Sequence, residues 1–271
     1  MTITKRKKSF IHYFPVYGCI STALIYAAVG VIALLSFFKV RDGGADESSM
    51  LALVNDYLVG KIFIYVILTG TLCYVIWRFY EAFTDPYRYG SHASGIAKRI
   101  GVCLSTLADI MIAYTAIRVL FHAGNIMLNG EPREEQQRVA SILQEPWGNE
   151  IIILFGFLII VTAITQFLYG VTKGYKERID IDHYSKAFKI FTTIMAWSGF
   201  IARGVIIGII GFFMIKSGIT ENAKLVVNTD KAFDFIGDHV GHIYFIIVAF
   251  GTICYGVFMF ILGVAYDTDR D

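Results

Sequence analysis

Twenty consecutive residues, Trp197 to Lys216 (WSGFIARGVIIGIIGFFMIK), contain four glycines, no acid and, before the terminal lysine, a single charge at Arg203. A helix of about 20 apolar residues is long enough to cross the hydrocarbon core of a bilayer. Peptide groups have no water to bond there, so only a helix or a closed barrel can span it. Nothing in the chain alternates with the period of barrel strands, and helices are the reading.

Six stretches share this character, at about 15–38, 59–83, 99–121, 150–172, 190–215 and 240–264. Hydrophobic residues make up 56% of the chain and charged residues 17%, too few charges to clothe a soluble surface of 271 residues. The expected fold class is therefore all-α integral membrane, with six transmembrane helices in a single membrane domain over 1–271. The net charge of +2 is spread over loops and excludes nucleic acid as a partner. Cys19, Cys73, Cys103 and Cys254 all fall in apolar segments outside any CxxC spacing, which implies neither disulfides nor metal. The basic run Lys5, Arg6, Lys7 and Lys8 precedes a long apolar segment with no small-x-small cleavage signal, so a retained first helix is expected.

Lysines and arginines near the helix ends set orientation. With the N-terminus inside, the inner group has thirteen, including Lys5–Lys8, Arg88, Lys98, Arg99, Lys173, Lys176, Arg178 and Arg270; the outer group has nine. The termini are expected in the cytoplasm. Each outer loop also carries a mildly amphipathic piece suited to a short interfacial helix: Ser48–Gly60, Arg133–Gly148 and Asp230–Gly241.

The chain also resembles itself. With Gly18, Gly101 and Gly199 in register, the small residues Gly30, Ala113 and Gly211 coincide. With Gly60, Gly148 and Gly241 in register, Gly70-Thr71-Leu72-Cys73-Tyr74 falls on Gly251-Thr252-Ile253-Cys254-Tyr255. Three parallel hairpin repeats are expected, 14–86, 97–180 and 190–266, with short interfacial helices in the outer loops and glycines serving close helix approach.

The string GFIARGVIIGIIGFF, followed by an even helix with a Gly251…Tyr255-Gly256 core, resembles an uncharacterised bacterial membrane family catalogued as domain of unknown function 1206. The second repeat, with Gln166, Lys173, Lys176 and Arg178, is similar to that family too, although Ala-Arg-Gly is replaced by Ser21-Thr22-Ala23 and Leu104-Ser105-Thr106 in the first two copies. The resemblance implies three two-helix repeats and a bacterial inner-membrane location, and it implies no activity.

Ionisable residues within a membrane are functional suspects, each with a partner to be named. Counting along the helices places Asp109, Arg203, Arg78, Gln166 and Glu81 in the inner half of the membrane, where an Asp109–Arg203 or Asp109–Arg78 pair would relieve the burial of both charges. Such a pair serves either to fix the repeats in register or to form a polar binding site between them. His122 lies thirteen residues beyond Asp109, roughly 20 Å along one helix, which excludes a hydrolase built from Ser105, Thr106, Asp109 and His122. No catalytic signature is present and no cofactor is implied. The expected role is non-catalytic: binding a lipid or small molecule, or steadying a homo- or hetero-oligomeric membrane complex, with membrane lipids as partners. A channel or carrier with a polar site between repeats is the alternative, and a membrane-embedded enzyme the distant one.

Overall fold

In the computed structural model, residues 13–40, 44–55, 57–85, 89–121, 130–179, 181 and 183–266 are described. Lys5, Arg6, Lys7, Lys8, Arg88, His122 and Arg270, which enter the expectations above, lie outside them, as does the side chain of Ser105.

The order long helix, short helix, long helix recurs three times: α1 Phe14–Phe37, α2 Glu47–Asn55 and α3 Leu58–Thr84; α4 Ala93–Leu120, α5 Arg133–Leu143 and α6 Gly148–Val171; α7 Lys186–Thr220, α8 Thr229–Phe235 and α9 His242–Val264. A π-helical turn, Ile236–Val240, continues α8. Among the described residues five helices, α1, α3, α6, α7 and α9, are long and apolar enough to cross a membrane. The chain is a multi-pass membrane protein. The expected third crossing corresponds to α4, which is 28 residues long but stands outside those five.

Local chemistry sets the helix ends. Asp46 stands before α2 and accepts from the backbone N–H groups of Ser48 and Ser49 at 3.0 and 3.2 Å. Ser185 caps α7 through Phe188 N, and Asn228 caps α8 through Lys231 N. At the end of α3, Asp85 takes a left-handed conformation and its carboxylate accepts from Tyr89 N and Gly90 N at 2.7 and 2.8 Å. Gly241, at φ +131°, supplies the bend before α9 that a side chain would resist.

The long helices form an arc in the order α4, α3, α1, α9, α7, α6, each packed on the next. The two end helices, α4 and α6, touch only slightly. Among those five helices, α9 has the largest buried share of its apolar window, 67%, and α6 the smallest, 17%. The glycines report the same geometry. A Cβ on Gly18 would lie 2.2 Å from Tyr74 Cβ, and one on Gly199 would lie 2.5 Å from Tyr255 Cα. Close approach of α1 to α3 and of α7 to α9 requires those glycines. Gly101, their partner in register, has nothing within 4 Å among the described residues. The expected middle hairpin is thus splayed: α4 leans on α3 and α6 on α7, and hardly on each other.

Two layers of core result. The outer layer joins α1, α2, α3, α4, α7, α8 and α9 around Ile25, Val29, Leu51, Ile64, Ile206, Phe233 and Ala249. The inner layer is aromatic, with Tyr74, Tyr175, Phe200, Tyr255 and Phe258. Tyr26 packs against both.

Candidate functional site

Between the two layers lies a cavity of about 230 Å³. Its floor is Arg203, the central residue of α7, seventeen residues from either end. The guanidinium lies over the rings of Tyr26 and Tyr255, 4.8 and 4.9 Å from their centroids, and donates through Nη1 to the Tyr255 hydroxyl. Two ring faces and a hydroxyl are what a desolvated guanidinium accepts in place of water. Its Nε is buried with no hydrogen-bond partner among the described residues.

The walls are Ile112 and Thr115 of α4, Ile206, Ile207 and Ile210 of α7, and Thr252 of α9. The roof comes from the short outer helices: Glu47 and Ser48 of α2, Glu135 of α5 and Thr229 of α8. Asp230 knits this cap together, its Oδ1 accepting from Ala45 N at 2.6 Å. Asn228 donates to the Gly130 carbonyl at 2.9 Å, and Thr229 to Glu47 at 3.2 Å. A Cβ on Gly44 would lie 2.3 Å from Gly130 Cα, so the first and second outer loops cross there backbone to backbone. Burial raises the carboxyl pKa of Asp46, Glu47 and Glu135 above the ordinary range. Burial likewise moves Asp230 up to about 6, against the opposing hydrogen bond from Ala45.

A second polar group sits at the inner end of the arc. Glu81 is fully buried and joins two guanidiniums, Arg78 at 3.5 Å and Arg178 from the connection after α6. Arg78 also donates to the Tyr74 hydroxyl at 2.6 Å. Arg99 donates through Nε to the Ala82 carbonyl at 2.6 Å and also bonds that of Phe83, capping the end of α3. This cluster ties together three segments of chain, and within it Arg78 Nε is buried without a hydrogen-bond partner among the described residues.

The five residues singled out by depth therefore go to four places. Arg203 floors the cavity; Arg78 and Glu81 belong to the inner cluster. Asp109 is buried on α4, within the field of both Arg203 and Arg78. No ion pair or hydrogen bond joins it to either among the described residues, so the expected contact pair does not form. Gln166 is half-buried on α6 and makes no hydrogen bond among the described residues. Arg203, Tyr26 and Tyr255 stand near the middles of their helices.

Sequence reasoning missed Tyr26, Tyr255, Glu47 and Glu135. An apolar helix gives no sign that its tyrosines hold a charge, and Glu135 lies within a stretch read as an interfacial helix. The internal register held the missing signal: Glu47 and Glu135 both stand thirteen residues before the aligned Gly60 and Gly148. Tyr74 and Tyr255 are aligned too, and each binds an arginine.

No solved structure matches the chain. A Bacillus subtilis (strain 168) protein named Uncharacterized protein YxxB is 28% identical over 264 residues, covering 97% of this chain and 94% of that relative. The profile of the family described as Domain of Unknown Function (DUF1206) matches twice, at residues 17–85 and 198–265, together just over half of the chain. The two matches fall on α1 to α3 and on α7 to α9, the segments whose glycines meet the paired tyrosines. By that repeated match the chain belongs to the DUF1206 family.

Proposed function

We propose that the protein is a non-catalytic receptor of the bacterial inner membrane that holds a small amphiphilic molecule in the cavity above Arg203. One observation carries the reading: the cavity is roofed by the cap and closed below by aromatic packing. Under Arg203 lie Phe200, Phe258 and Tyr175, with ring centroids 5.1 to 6.2 Å apart. A channel or carrier needs a continuous polar route, and this packing offers none. Ligand pockets usually run from about 300 to 1,000 Å³. At about 230 Å³ the cavity suits a compact ligand and excludes the body of a two-chain phospholipid. Membrane lipids are instead partners at the outer surface, where a groove of about 380 Å³ between α6 and α7 is lined by Ile160, Phe167, Gly208 and Phe212.

The wider architecture in this proposal has six crossings, with α4 as the sixth, in three parallel repeats at 14–86, 97–180 and 190–266. The recurring helix order supports it, and the length of α4, roughly 42 Å, supports its crossing. The basic residues favour both termini in the cytoplasm. A homo- or hetero-oligomeric complex remains part of the proposal, with the lipid-facing side of α6 as its most exposed helix.

The test uses a small apolar photolabel, adamantyl diazirine, on protein in vesicles. Labelled peptides are expected to include Ile206–Ile210 and Ile112–Thr115, and Thr252→Trp, which fills the cavity, is expected to abolish that labelling. Labelling confined to lipid-facing Leu154, Phe155 and Phe157 would refute a receptor cavity. Vesicles holding the protein should also release rubidium and chloride no faster than protein-free vesicles; faster release would restore the channel reading.

A further inference from the structure

The cavity is polar at its two ends and apolar between them. Ile210 stands seven residues beyond Arg203 on α7, so the apolar wall runs about 10 Å from floor to roof. At the floor, Arg203 has satisfied one amino group on Tyr255 and its two faces on rings. Its Nε–H is enclosed and without a partner among the described residues. The remaining amino N–H groups lie in the guanidinium plane, where a carboxylate docks edge-on. At the roof stand Glu47 and Glu135. Thr229 donates one hydrogen bond to Glu47, and no cation lies within ion-pair distance of either acid among the described residues. Asp109 balances charge from a distance, but it fills none of the arginine's donors.

A simple anion would satisfy the floor and leave two carboxylates bare at the roof; a simple cation would do the reverse. Resting on the receptor reading, we propose that the ligand is an elongated zwitterion: a carboxylate on Arg203, an apolar stem along Ile206, Ile207 and Ile210, and an ammonium between Glu47 and Glu135. Buried charges become favourable when each is paired and hydrogen-bonded, and only a ligand charged at both ends does this here. The separation selects a flexible chain of about 10 Å over a compact α-amino acid, whose two charges sit on one carbon.

The experiment compares 8-aminooctanoate, octanoate and octylamine by calorimetric titration of the purified protein in detergent. The amino acid is expected to bind at least tenfold more tightly than either singly charged compound. Glu135→Gln, at a side chain with no ion pair among the described residues, should weaken 8-aminooctanoate at least fivefold and leave octanoate unchanged. Glu47→Gln should act in the same sense, with circular dichroism confirming the fold of both. Equal binding of octanoate and 8-aminooctanoate would overturn the zwitterion and leave a receptor for anionic amphiphiles. Binding of none of the three, with photolabelling of the cavity intact, would overturn this ligand class alone. Loss of the photolabelling itself would remove the receptor reading beneath it.

Discussion

Gly199 and Gly101 occupy matching places in register and predict opposite responses to the same change. Gly199→Leu drives a side chain into the backbone of Tyr255 and should destabilise the protein by about 1–3 kcal/mol or more, as overpacking does. Gly101→Leu enters open space and should stay within about 0.5 kcal/mol, like an ordinary surface change. Thermal unfolding of both variants in one detergent checks the pair. A similar contrast separates the two buried acids. Glu81→Gln strips a shared carboxylate charge from two guanidiniums and should cost about 3–5 kcal/mol. Asp109→Asn breaks no direct contact and should cost visibly less, read from the same unfolding curves. The ranking is the reverse of what the sequence suggests, because depth can be counted along a helix but azimuth cannot. Asp109 is on α4 and Arg203 on α7, which are not neighbours in the arc, whereas Arg178, in a loop, reaches Glu81 across 97 residues of chain.

The short outer helices are the element whose behaviour depends on acidity. Asp230 holds its proton more tightly in the folded chain, since its pKa rises from 3.8 to about 6 on burial beside Asp46 and Asp234, with Lys231 opposing. A raised acid stabilises the fold fully below 3.8, and that contribution is lost as pH rises through about 6. Asp46, Glu47 and Glu135 shift the same way, so all four tighten the cap under acid. The melting temperature should therefore fall between pH 4 and pH 6.5. Asp230→Asn, which can still accept from Ala45 N, should flatten that part of the profile; an unchanged slope would place the titration elsewhere. The existence of these helices was legible from apolar spacing in the outer loops, and α2, α5 and α8 all form there. Their joining into one roof was not, since it depends on Ala45, Gly130 and Asp230 meeting from three distant loops.

For the molecule as a whole, orientation is open to a direct check. Glu145→Cys, in the exposed turn before α6, should react with a membrane-impermeant maleimide added to intact cells, and Lys176→Cys only after permeabilisation. The opposite pattern would invert the molecule. Hydropathy made the long helices legible because lipid tolerates almost no other backbone. It could not reveal which helices would be neighbours, and the loose contact between α4 and α6 has no mark in composition. That contact has a mechanical meaning. In an arc fastened firmly along its length, strain from an occupant concentrates where resistance is least, and here α4 carries one wall of the cavity. If α4 swings at that joint, the cavity opens toward the bilayer. A guest that partitions into lipid first would reach its seat sideways, without disturbing the roof.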